Sequence, residues 1–285
     1  MRLCRFDHDR LGLVRGDAVH DVSAVLEALP AYRWPFPPGD PIIALLDRLR
    51  PEIERIAANA PARPLSSVLV KSPIANPGKI IGAPVNYQKH LDESRADRGI
   101  NFGNEVKEIG YYGLFLKAGS ALVGPGEGVA TGFPDRRHDH EGELAVVIGK
   151  GGKNIPKARA FDHIAGYCLG LDMTVRGTED RSFRKSLDTY AVLGPAFVSK
   201  DEIADPGVLD LELRVNGEVR QKTNTRYLIY DVPRLIEYAS AWYTLNPGDV
   251  IMTGTPEGVA PVKPGDTITL EIEKVGRMEV KVRAA

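Results

Sequence analysis

Hydrophobic positions in this chain fall mostly in short runs, and the runs predict strands. Leu144-Ala145-Val146-Val147-Ile148 is apolar throughout and closed by Gly149, the pattern of a strand buried on both faces. Tyr167-Cys168-Leu169-Gly170-Leu171 and Val250-Ile251-Met252 predict two more. Near the start, Leu11 to Val14 and Ala18 to Val22 are β-like runs about a Gly16-Asp17 turn. Asn216-Gly217, between Leu211–Val215 and Glu218–Gln221, signals a tight hairpin, because both central residues of such a turn need positive φ. Pro264-Gly265-Asp266 introduces a final strand pair over Thr267–Val282.

Helical periodicity is rarer. Ser23 to Leu29 is one short candidate. Pro41 to Ala58 places Ile42, Leu45, Leu46, Leu49 and Ile53 on one side, with Pro51 expected to kink or split it. Helices are also expected from Pro156 to Ala165 and after Asp231, an N-cap residue followed by the stripe Leu235, Ile236, Ala239 and Trp242. Asn59 to Pro64 reads as a connection, and a division falls near residue 75, after Val68-Leu69-Val70. The pattern predicts α+β architecture: a small N-terminal α+β domain over 1–75 and a sheet-dominated catalytic domain over 76–285. Its sheet is expected to be mixed and rolled, since the regular strand–helix alternation of a Rossmann or barrel enzyme is missing.

Composition narrows the partners. The chain has 285 residues, 37 of them basic and 38 acidic, and a net charge of -1 offers no field for nucleic acid or an anionic membrane. No apolar stretch reaches the length of a membrane span, and Met1 to Asp7 carries charges where a signal peptide needs an apolar core. Two distant cysteines, Cys4 and Cys168, make neither a disulfide framework nor a Cys-rich zinc site. A reducing cytoplasm and a small-molecule partner fit best.

The candidate chemistry begins just before the 144–148 run, at Glu141-Gly142-Glu143. In a strand, residues i and i+2 share a face, so two carboxylates point at one spot. Asp172, at the end of the 167–171 run, adds a third. Three hard oxygen ligands suit Mg2+ or Mn2+, with Ca2+ also compatible, and leave positions open for substrate. The alternative is a pair of glutamates on a solvated strand face and an aspartate capping a turn. His90 and Glu93 lie three apart, neighbours on a helical turn, where the carboxylate can hold the imidazole as a general base; a surface pair with no task is the other reading. Ser94 to Tyr112 is charged and poor in apolar residues, which suits a lid or an ordinary surface loop. Lys117 and Lys185 are candidate partners for a substrate carboxylate or enolate, or solvated surface charges, and Arg176 is a candidate substrate clamp or an ordinary salt-bridge partner. Thr253-Gly254-Thr255-Pro256 turns the end of a strand, where backbone and hydroxyl donors could bind an oxyanion.

In order along the chain, several motifs resemble the fumarylacetoacetate hydrolase family: Lys79-Ile80-Ile81-Gly82 to Asn86-Tyr87, His90 with Glu93, Leu114-Phe115-Leu116-Lys117, His140-Glu141-Gly142-Glu143, Gly166-Tyr167 to Asp172-Met173-Thr174, and Thr253 to Val259. The resemblance covers roughly residues 79–282. It implies a mixed β-roll catalytic domain and a homodimer. Mg2+ or Mn2+ would be held by Glu141, Glu143 and Asp172, with 2-oxo or dioxo acids as substrates. It casts His90, Glu93 and Lys185 as catalytic, and Tyr87, Lys117, Arg176, Glu179, Gly254 and Thr255 as substrate-binding. The implied reaction is hydrolysis of a carbon–carbon bond in a β-diketo acid such as fumarylpyruvate, maleylpyruvate or another acylpyruvate, releasing pyruvate. In that reaction His90 and Glu93 activate water and Lys185 steadies the enolate. The alternatives are a 2-hydroxydienedioate isomerase, an oxaloacetate decarboxylase, or an inactive 2-oxo acid binding protein. The chain departs from the common pattern at Ala118, where many relatives carry Pro, and at Glu179, where many acylpyruvate-cleaving relatives carry Gln. An acid there would repel a substrate carboxylate unless it is paired or lies off the contact.

Overall fold

The apolar runs of the middle of the chain assemble into one twelve-stranded mixed sheet in this computed structural model, which describes residues 1–285. Its centre is three antiparallel neighbours: Gly142–Ile148 beside Ile164–Asp172, itself beside Ala191–Ser199. On the other side of Gly142–Ile148 runs Val250–Met252, which pairs in parallel with Ile80–Gly82. A five-stranded sheet built from Asp210–Val215, Glu218–Asn224, Thr267–Ile272, Gly276–Ala284 and Val129–Thr131 packs against its face. Leu144, Leu169, Leu171, Leu213 and Leu270 belong to the apolar layer shared by the two sheets. The 216–217 hairpin forms as expected, with Asn216 at φ 51° and Gly217 at φ 84°.

Gly142 shows why a glycine separates the two glutamates. Its face of the strand lies flush on the second sheet, where an added Cβ would meet the ends of Leu213 and Leu270 at 2.9 Å. The glutamates on either side must therefore point the other way, away from the apolar layer.

Residues 1–75 are tied into the same sheet. Arg2–Phe6 pairs with Ala191–Ser199, placing Leu3 opposite Phe197, and Leu13, Leu49 and Ile53 share an apolar cluster with Cys168, Leu193 and Val250. Several local expectations shift. The 41–58 helix breaks at Leu45, between Pro41–Ala44 and Leu46–Ala57, and Pro51 lies inside the second piece. The segment read as a connection contains a strand, Ala62–Pro64, whose one proline is tolerated because it is the sheet's outer strand. Ser23–Ala28 and Lys157–His163 are 3-10 turns, the latter passing directly into the Ile164 strand. Asp231 caps Val232–Trp242 as expected, but Trp242 is 68% exposed and lies off the buried stripe. Among the helices no span is long and apolar enough to cross a membrane.

Candidate active site

Strand pairing brings the three acids together. Gly142 stands opposite Leu171 and Glu143 opposite Gly170, and the Asp172 N–H donates to the Glu141 carbonyl at 2.9 Å. Asp172 is thus across the ladder from Glu141, while Glu143 is two residues along the same face. Each residue offers an oxygen within 4.8 Å of the others, and all three side chains are buried.

Their surroundings differ. Lys185 Nζ donates to Glu141 at 2.6 Å, Asp172 at 2.7 Å and the Thr174 hydroxyl at 2.6 Å. Arg176 donates to Glu141 at 2.9 Å and to Asp139 at 2.7 Å, and Lys117 pairs with Asp172. Burial pushes the Glu141 carboxyl up, but Lys185 and Arg176 outweigh it and hold the group well below the usual carboxylate range. Glu143 has no cationic partner, and its one donor is the Gly254 N–H at 2.7 Å. Burial, and then the charge of Asp172, push its carboxyl well above the ordinary value. A buried acid short of positive charge, converging with two others, fits a divalent cation that takes hard oxygen ligands.

His90 and Glu93 sit on the Gln88–Ala96 helix, three apart as expected. The Glu93 carboxylate accepts from His90 Nδ1 at 2.9 Å and, through its other oxygen, from the Gly258 N–H at 2.8 Å. With Nδ1–H committed to Glu93, Nε2 is left as the basic nitrogen. His90 and the three acids line one cavity of about 70 Å³, small beside a drug-sized pocket of roughly 300 Å³ or more. Ser94, Ile100 and Val106 also line it, so the 94–112 segment contributes part of its wall. That segment is tethered by an ion pair from Arg137 to Asp97 at 2.9 Å.

The cavity gathers His90, Lys185, Arg176 and Thr255 with the acids. It does not gather four of the residues expected to touch substrate. Tyr87 is buried to one side, close enough to Glu143 for that charge to add to burial in raising its hydroxyl pKa. Lys117 stands behind Asp172, and the Gly254 N–H is committed to Glu143; both support the acids. Gly254 holds φ 99°, a conformation that leaves its N–H aimed at Glu143 and that few other residues adopt. Glu179 is a correction to its expected contact: it lies outside the cavity in a bidentate pair with Arg136 at 2.9 and 2.8 Å, which satisfies its charge. Burial lowers the Lys117 pKa, only partly offset by Asp172.

The sequence reading missed three contributors. Arg181 and Arg184 line the cavity from the turn Arg181–Arg184, and the basic run Arg181 to Lys185 was the available signal. Asp139, fully buried between Arg137 and Arg176, orients the latter and had no motif to mark it.

Known proteins share this arrangement of chain. The family model described as the fumarylacetoacetate hydrolase C-terminal domain matches residues 79–283. The maleylpyruvate hydrolase of Aquipseudomonas alcaligenes is 54% identical over 286 residues, covering all of both chains. A mitochondrial oxaloacetate tautomerase of Bos taurus is 35% identical over 99% of this chain and 91% of its own. The crystal structure of maleylpyruvate hydrolase from Sphingobium sp. SYK-6 in complex with manganese(II) and pyruvate superposes with a TM-score of 0.84, at 40% identity and with full coverage of both chains.

Proposed function

The chain belongs to the fumarylacetoacetate hydrolase family, and from that premise we propose that it is a divalent-metal-dependent hydrolase of acylpyruvates that releases pyruvate. The observation that carries this reading is the meeting, in one cavity, of the three-acid set and His90, whose imidazole is held by Glu93. The full-length similarity to a maleylpyruvate hydrolase supports the substrate class, and the manganese and pyruvate of the Sphingobium relative support the cofactor and product.

Glu141, Glu143 and Asp172 would hold Mn2+ or Mg2+. When bound, the ion supplies Lewis acidity toward a chelated 2-oxo acid and offsets negative charge as the bond breaks. His90 Nε2 takes a proton from water, and the hydroxide adds to the distal carbonyl. The bond between that carbon and the pyruvate methylene then breaks, leaving an acid and the enolate of pyruvate, which gains a proton to give pyruvate. Glu93, fixed by the Gly258 N–H, holds the imidazole in the required tautomer. Lys185, on the cavity wall beside two of the acids, places positive charge where the enolate develops. Arg176 and Thr255 position the substrate from the same wall, while Lys117, Tyr87 and Gly254 act through the acids. The 94–112 segment excludes bulk water.

In this reading the enzyme works in the cytoplasm, where its two unpaired cysteines fit, as the homodimer that the family resemblance implies. The catalytic unit is 76–285, in keeping with the start of the family match at residue 79, and 1–75 braces the sheet. A single panel tests the function: Mn2+-loaded protein is assayed on maleylpyruvate, fumarylpyruvate, oxaloacetate and a 2-hydroxydienedioate. Pyruvate release from an acylpyruvate is expected. Keto–enol exchange of oxaloacetate or isomerisation of the dienedioate, without pyruvate release from any acylpyruvate, would replace the hydrolase reading.

A further inference from the structure

Arg181 and Arg184 stand apart from the other arginines near the acids. Arg136, Arg137 and Arg176 are each paired with carboxylates: Glu179, then Asp97 and Asp139, then Asp139 and Glu141. Arg184 is part-buried on the cavity wall, yet it donates only to two backbone carbonyls, those of Glu179 at 2.8 Å and Val175 at 3.3 Å. Arg181 has no carboxylate partner either, and its guanidinium lies over the Tyr112 ring at 3.8 Å. A guanidinium offers five donors, so both groups keep donors free toward the cavity. Two such cations on one wall repel each other and suffer desolvation unless an anion joins them. Lys117, Lys185 and Arg176 already engage Glu141 and Asp172, and Glu143 pairs with neither guanidinium, its one donor being the Gly254 N–H.

We infer that Arg181 and Arg184 seat a second, terminal carboxylate of the substrate, so that the enzyme selects 2-oxo dicarboxylic acids over monocarboxylic ones. This rests on the acylpyruvate reading and deepens it. The metal end of the cavity takes the 2-oxo acid group, and the arginine pair takes the far end of the chain, fixing the distal carbonyl between them. Tyr112, from the 94–112 segment, stacks on Arg181 and so links closure of that segment to occupation of the carboxylate seat.

Binding separates this idea from the reaction itself. The probes are 2-oxoheptanedioate and 2-oxoheptanoate, which have the same chain length, lack a cleavable second carbonyl and differ only in the terminal carboxylate. Calorimetric titration of Mn2+-loaded wild type is expected to favour the diacid by at least about tenfold. Arg184→Met should remove most or all of that preference, as truncating one side of a desolvated charge pair does. Arg181→Met should cut it less, because that guanidinium is also engaged by the Tyr112 ring. Near-ultraviolet circular dichroism checks that each variant is folded, and Arg184→Lys provides a milder change should Arg184→Met misfold. Wild type with no preference for the diacid, or variants that weaken both probes equally, would overturn the assignment. Because the readout is binding, it stands whether or not the hydrolysis panel yields pyruvate.

Discussion

The floor and the roof of the cavity hold their reactive groups by different means. Glu141, Glu143 and Asp172 stand on two paired strands at the centre of a twelve-stranded sheet, where ladder bonds and the packing of Gly142 on Leu213 and Leu270 fix each carboxylate. His90 and Glu93 stand on a nine-residue helix. Its place over the acids depends on a few polar contacts, including Glu93 with Gly258 and Arg137 with Asp97. The strands set position rigidly, as a metal site demands. The helix sets the relation of histidine to glutamate, and its distance from the floor rests on fewer contacts than the strand ladder gives the acids.

The sharpest way to break this comparison is to remove a floor acid. Glu143→Gln should lower kcat/KM by about 10³-fold or more, since the metal lowers the barrier by several kcal/mol. Calorimetry should show the loss of Mn2+ binding behind that effect, and chelation of wild type should reproduce it reversibly. If Glu143→Gln bound Mn2+ as wild type does, the acid would not be a ligand.

Removing the roof base comes next. His90→Ala should cost about 10²–10⁴-fold in kcat, the usual range for general-base loss, with Mn2+ affinity little altered. Glu93→Gln should cost about 10–100-fold, because it disturbs tautomer and orientation and leaves the base in place. Equal hydrolysis rates in His90→Ala and wild type would show that the roof only covers the site.

The smallest effect is thermal, and it belongs to the floor alone. Burial and the charge of Asp172 raise the Glu143 carboxyl above 4.5, so the folded metal-free protein keeps that proton to higher pH than the unfolded chain does. The folded state therefore binds more protons from pH 4.5 upward to the raised value, and stability should fall as pH rises through that window. Glu141 acts with the opposite sign and only below pH 4.5, because its pKa is lowered. Scanning calorimetry of metal-free protein from pH 5 to 8 should show Tm falling by a few degrees, given about 2–4 °C per kcal/mol for a chain of this length. Adding Mn2+, or substituting Glu143→Gln, should flatten the slope. An unchanged slope in Glu143→Gln would place the titrating group elsewhere.

The sequence by itself determined a good deal. Two-residue periodicity marked Glu141 and Glu143 as sharing a face, helical spacing paired His90 with Glu93, and Asn216-Gly217 fixed a hairpin, because all three depend only on local geometry. The ordered motifs identified the family. Local geometry could not assign the long-range partners. Glu179 and Arg136 are 43 residues apart, and only their pairing in the folded chain takes that acid out of the cavity. Lys117 and Gly254 were legible as site residues, but only the packing of distant strands shows that they serve the acids. Arg181 and Arg184 look in sequence like any basic turn. What distinguishes them is that no nearby carboxylate pairs with them, Glu141 and Asp172 being held by other cations and Glu179 by Arg136, a property of the whole assembled site that no stretch of chain contains.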